Sequence, residues 1–149
     1  MNKKLLKIAL PLVVIFVATT AGYLWYIKPT PAREKLAQSV KRGDQTFRQY
    51  FNADYPTAKT AVLDYIGFLD QASAESANPL RNTYRTDAMI WYMRLAKLEE
   101  KNHGSEQADY MREAMSRCQK LGWADCSEER LRRDVDRTDD IAMATLNKQ

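Results

Sequence analysis

Residues 88–108, "AMIWYMRLAKLEEKNHGSEQA", decide the fold. Ala88, Trp91, Tyr92, Leu95, Ala96 and Leu98 recur at three-and-four spacing, which places them on the inward side of a helix. Thr86 or Asp87 is its expected cap, and Gly104 its expected left-handed stop. Ser105 opens the next helix, where Ala108, Met111, Met115 and Cys118, then Leu121 or Trp123, line one side. Two helices joined across "NHGS" are left with antiparallel packing.

Upstream, Ala58, Ala61, Val62, Tyr65, Ile66, Leu69 and Ala72 form a broad apolar stripe, again that of a core-facing helix. "NADYPTAK" before it is a turn. "QASAESANPLRNTYR", residues 71–85, loses all periodicity and predicts a loop of about a dozen residues, pinned by Leu80 and Tyr84. Earlier still, Thr30 caps and Pro31 opens a helix that runs to about residue 52. Leu36, Val40, Phe47, Tyr50 and Phe51 recur along it, with Gly43 a weak point. Downstream, a last helix from Ser127 carries Leu131 and Val135 amid heavy charge, and the tail either frays or docks through Ile141, Met143 and Leu146. No stretch alternates with period two over a strand's length. The expected fold is all-α, a small antiparallel helical-hairpin bundle of four to five helices.

Residues 8–27, "IALPLVVIFVATTAGYLWYI", contain no charge. As a helix they span roughly 30 Å, the thickness of a bilayer's hydrocarbon core. Tyr23, Trp25, Tyr26 and Lys28 crowd the far end, where aromatic and basic side chains favour the membrane–water interface. A cleaved signal peptide ending near Ala21 is the competing reading, but apolar residues resume after it. The expected organisation is a transmembrane signal anchor over 1–28, a juxtamembrane helix over 29–53 and a helical-hairpin domain over 54–149. Basic residues flank both ends of the span, so the positive-inside rule gives no clear vote. The short head favours an inside amino terminus and an exported domain. Such a span resembles the signal anchor of a bacterial bitopic protein, which implies the inner membrane with the domain in the periplasm.

The net charge of +4 is local. Of 23 basic residues, Lys3, Lys4 and Lys7 belong to the head, leaving 20 against 19 acidic ones. Residues 28–48 hold six basic and two acidic side chains, a collar suited to anionic headgroups. The rest of the domain is balanced, which argues against nucleic acid as a partner.

The stretch "YMRLAKLEEKNHGSEQA" resembles part of a tetratricopeptide repeat through the spacing of Tyr92, Leu95, Ala96 and Ala108. It departs from that pattern at Glu99, where an aromatic is usual, and at Arg112, where a large ring is usual. Ala61 and Tyr65 echo the second-helix pattern, but Ala61 precedes Ala108 by 47 residues instead of the family's repeat of about 34. The resemblance implies stacked helical hairpins and a binding groove, and no reaction.

Cys118 and Cys126 are the only cysteines. Their spacing does not suit a thioredoxin-like centre or a haem attachment, and with His103 alone they fall short of a zinc ligand set. A disulfide across the turn or two buried thiols remain, and export favours the disulfide. His103 beside the glycine, and Glu99, Glu100, Asp139 and Asp140, read as solvated charge. Met89, Trp91, Tyr92 and Met93 cannot all face one way, since neighbours on a helix point about 100° apart. Some of "MIWYM" must meet a second surface: the long loop, another protein or the membrane. No catalytic constellation and no cofactor site is discernible. The expected function is that of a membrane-anchored, extracytoplasmic interaction or scaffold subunit of an envelope complex, touching lipid through its span and another envelope protein through its domain. An accessory single-span subunit of a larger integral-membrane assembly, or an enzyme of unrecognised type, is the alternative.

Overall fold

The structure, a computed structural model, describes residues 31–75 and 78–146. Five helices and no strand occur among them: α1 (Pro31–Asn52), α2 (Tyr55–Ala74), α3 (Arg81–Lys101), α4 (Gln107–Lys120) and α5 (Glu128–Leu146). The chain divides into two units, Met1–Lys35 and Leu36–Gln149, so most of α1 belongs with α2–α5. The stretch expected to cross a membrane lies outside the described residues. Among those described, no helix is long and apolar enough to do so.

Local chemistry sets the helix ends. The Asp54 carboxylate accepts a hydrogen bond from the Thr57 N–H at 2.9 Å and caps α2, with proline in its first turn. The expected long loop is absent. α2 runs on to Ala74, and Asn78 folds the short connection by donating to the Ala72 carbonyl and accepting from the Leu80 N–H. Ser73 is buried and Tyr84 is core, although the apolar rhythm fades between them. α3 consequently begins before Thr86.

α3 is buried on two sides. Ala88, Trp91 and Leu95 face Val62, Tyr65, Ile66 and Leu69 of α2. Met89, Met93 and Ala96 face Met111, Ala114 and Cys118 of α4, and Leu131 and Val135 of α5. The second surface that "MIWYM" requires is therefore supplied from within, by α4 and α5. On α4 the closely packed small residue is Ala114, while Ala108 is exposed. Burial of an apolar side chain contributes about 1.5–3 kcal/mol, so a helix serving two clusters carries much of the fold's stability.

Three polar contacts on α3 were expected as solvated charge or not foreseen. Arg94 is 2% exposed; its Nε donates to Asp139 at 2.8 Å and its Nη2 to Thr138 at 2.9 Å. Its guanidinium lies 4.4 Å from the Phe47 ring centre and 4.5 Å from that of Trp91. One side chain thus ties α1 and α5 to α3. Lys97 with Asp136 and Asp139, and Glu100 with Arg132, continue the α3–α5 pairing, in an order that requires the two helices to run antiparallel. Glu99, 1% exposed, accepts from the Tyr55 hydroxyl, from Lys59 at 2.8 Å and from the Glu106 N–H at 3.2 Å. The expectation that Glu99 and Asp139 are solvated is overturned: both are buried because opposite charge awaits them on other helices. Glu100 and Asp140 are exposed as expected.

The same network explains the turn after α3. His103, not Gly104, takes the left-handed conformation (φ 53°), and the Gly104 N–H reaches back to the Glu99 carbonyl at 2.8 Å. Glycine at 104 serves closeness. A Cβ there would stand 2.6 Å from the Glu99 carboxyl carbon.

α1 meets α2 through small side chains. Ser39, Gly43 and Thr46 are buried, and the Tyr65 hydroxyl donates to the Ser39 carbonyl at 3.2 Å. Gly43 is a contact point where a Cβ would come within 3.0 Å of that hydroxyl. Leu36 and Val40, expected on the buried face, are exposed instead.

Arg94→Met should cost about 3–5 kcal/mol, because it leaves the Asp139 carboxylate buried with reduced compensation. Arg94→Met with Asp139→Leu should recover at least half of that. Urea unfolding of the single and double variants tests this, and a double variant as unstable as the single would contradict it.

The Glu99 carboxyl sits below its ordinary value of 4.5. Burial would push it up, but the hydrogen bonds from Lys59, Tyr55 and the Glu106 backbone outweigh that effect. Its contribution is therefore complete above about pH 4.5 and is lost as pH falls through the lower folded-state value. Glu99→Gln should destabilise by about 1–3 kcal/mol at neutral pH. The gap from the parent should close in acid; a gap constant through the acid range would refute the assignment.

Candidate functional site

The turn between α4 and α5 carries the chemistry that the two cysteines hint at. α4 ends at Lys120 with Leu121 as its C-cap, and Gly122 takes the left-handed conformation (φ 74°). The Gly122 N–H bonds to the Gln119 carbonyl at 2.9 Å and the Trp123 N–H to that of Cys118 at 3.4 Å, closing a Schellman turn. Asp125 accepts from the Ser127 N–H at 3.0 Å, which holds its carboxyl below the usual range, and the Ser127 hydroxyl accepts from the Arg130 N–H at the start of α5. Cys118 is buried in the α3–α4–α5 core. Cys126 is half-buried, and their sulfurs lie at disulfide distance, 1.97 Å apart.

Trp123 sits inside the ring that this pair closes, and it is 38% exposed. Its indole stands at one edge of a groove of about 390 Å³ between α3 and α5. Met89, Ile90 and Met93 of α3 line one side; Leu131, Val135 and Ile141 of α5 line the other. Ile141, at 61% exposure, and Trp123 are the large apolar side chains on its margin, while Met89 and Met93 are buried beneath it. Asp134 and Arg137 supply the polar edge. Thioethers adapt to irregular apolar shapes, and a partly exposed tryptophan is a common anchor in protein contacts.

The side chains singled out in the sequence are thus divided. Met89 and Met93 reach the groove. Trp91 faces the opposite cluster, where its ring meets Phe47 at 4.7 Å and Tyr65 at 5.5 Å. Tyr92 lies between the clusters, half-buried, with the Arg117 guanidinium 4.5 Å above its ring. They do not form one exposed patch. Tyr23, Trp25, Tyr26 and Lys28 lie outside the described residues. Trp123 and Ile141 were not foreseen as binding residues: one comes from a turn and the other from a charge-rich helix, and neither belongs to an apolar run.

A second cavity, of about 530 Å³, is lined by Asp70, Arg85, Glu113, Arg117 and Lys120 among others. Arg117 is already held there, at 2.5 Å from Asp70 and 2.8 Å from Glu113. His103 is exposed at the α3–α4 turn. Among the described residues, no three His, Cys, Asp or Glu side chains are grouped to hold a metal ion. Comparison of the chain with protein families, with curated proteins and with solved structures finds no match.

Reduction of the Cys118–Cys126 pair should lower stability by about 2–3 kcal/mol, the loop-closure value for so short a ring. Urea titrations with and without a dithiol reductant, alongside Cys126→Ser, measure it. Identical midpoints would show that the pair exerts no covalent restraint.

Proposed function

We propose that the chain is a membrane-tethered interaction subunit of a bacterial envelope complex, without catalytic activity of its own. The observation that carries this reading is the mainly apolar groove between α3 and α5, lined among others by the exposed Trp123 and Ile141. Exposed tryptophan beside exposed isoleucine over an apolar floor is costly in water and suits a partner's apolar side chains. A groove between two helices suits the apolar face of an amphipathic helix, presented at three-and-four spacing by another envelope protein.

The uncharged run over 8–27 supports the tether. Holding the domain at one bilayer raises its effective concentration for partners in the same membrane. A cysteine pair at disulfide distance fits an oxidising compartment, hence a domain on the periplasmic side.

Two arms test the proposal. Alkaline washing of membranes should leave the full chain in the pellet, and its release would remove the tether. A photo-crosslinking residue at Ile141 should yield an adduct of defined mass that Asp109, exposed on α4, does not. No adduct at 141, or the same adducts from both positions, would exclude the groove.

A further inference from the structure

The apolar stripe of α1 extends beyond the part that packs. Phe51 and Phe47 are half-buried, Gly43 is buried against Tyr65, and the stripe continues at spacings of three and four to Val40 and Leu36. There it opens to solvent, with Val40 64% and Leu36 41% exposed. At this end the helix makes its contact through Ser39, Gly43 and Arg42, whose guanidinium lies 4.5 Å from the Phe68 ring centre, so its largest apolar groups add little to the core. A branched aliphatic side chain left this open suits an apolar surface outside the bundle.

Two further observations identify that surface. Residues 33–44 hold four basic side chains, Arg33, Lys35, Lys41 and Arg42, against two acidic ones, Glu34 and Asp44. The segment therefore carries a cationic surplus beside its apolar strip, the combination that anionic lipid headgroups attract. α1 also begins at Pro31, just after the uncharged run that ends at residue 27.

We infer that α1 lies along an anionic bilayer surface, with Leu36 and Val40 seated at the acyl boundary and Lys41 beside the phosphates. The inference rests on the tether described under Proposed function. The arrangement holds the domain against the membrane instead of letting it swing from a stalk.

The full chain provides the test. Val40→Cys and, as a control on α4, Asp109→Cys are labelled with an environment-sensitive fluorophore while Cys118–Cys126 remains oxidised. Both are reconstituted in vesicles of equal parts phosphatidylcholine and phosphatidylglycerol. The label at 40 should be quenched several-fold more strongly by nitroxide-bearing lipid than the label at 109. That difference should shrink in pure phosphatidylcholine and on Lys41→Glu. Quenching at 40 by aqueous iodide alone, in vesicles with which the chain floats, overturns the inference and leaves the tether standing. A label at 40 shielded from both quenchers also overturns it, since a protein surface then covers the strip. Failure of the chain to float with vesicles at all overturns the tether and the inference together.

Discussion

A guanidinium buried at the middle of α3 constrains the rest of the bundle. Arg94 cannot shed its charge, so burial is tolerable only where every neighbour is suitably placed. Phe47 and Trp91 cover its planar surface, and Asp139 and Thr138 accept its N–H groups. Those partners come from α1, α3 and α5. A slip of any of the three by a residue would leave a cation or a carboxylate stranded in the core. Apolar side chains tolerate such slips far better, so Arg94 and Asp139 specify register where Leu131 and Val135 supply only affinity. Tyr50, beside this cluster, is pushed up to about 12, by burial first and by Asp139 next.

Glu99 plays the corresponding part at the other end of α3, gathering the first turn of α2 and the approach to α4. It also dictates the chain's path, because the carboxyl occupies the space where a side chain at 104 would go. Glycine there is a consequence of one buried acid. From Ala88 to Ala96 α3 is covered on both flanks, and part of the α3–α5 seam stays open as a groove.

Much of the architecture was legible because apolar spacing reports burial directly. The stripes from Ala58 to Ala72 and from Ala88 to Leu98 correspond to α2 and α3 and to their facing sides. Three features were illegible for identifiable reasons. The α2–α3 connection looked long because its helical residues are small or polar, and what closes it is one hydrogen bond donated by the Asn78 side chain and one accepted by it. Glu99 and Asp139 looked solvated because a charge is buried only when an opposite charge arrives from elsewhere in the fold, and spacing along one helix carries no trace of that. Leu36 and Val40 looked like core because periodicity shows which residues share a face, but not how far along the helix its neighbour extends. For the candidate site, the surplus of apolar residues in "MIWYM" pointed to the loop or to an outside surface, whereas α4 and α5 of the bundle itself cover Met89 and Met93. The groove itself needed Trp123 from a turn and Ile141 from the last helix, and only the tertiary structure brings them together.

The bond at the α4–α5 turn has one more consequence, for biosynthesis. Cys118 and Cys126 are near neighbours in the chain, and there is no third cysteine to compete with either. Within one molecule the oxidised chain has a single possible pairing. Wherever the pair is oxidised, an isomerase would find no scrambled intramolecular form to repair.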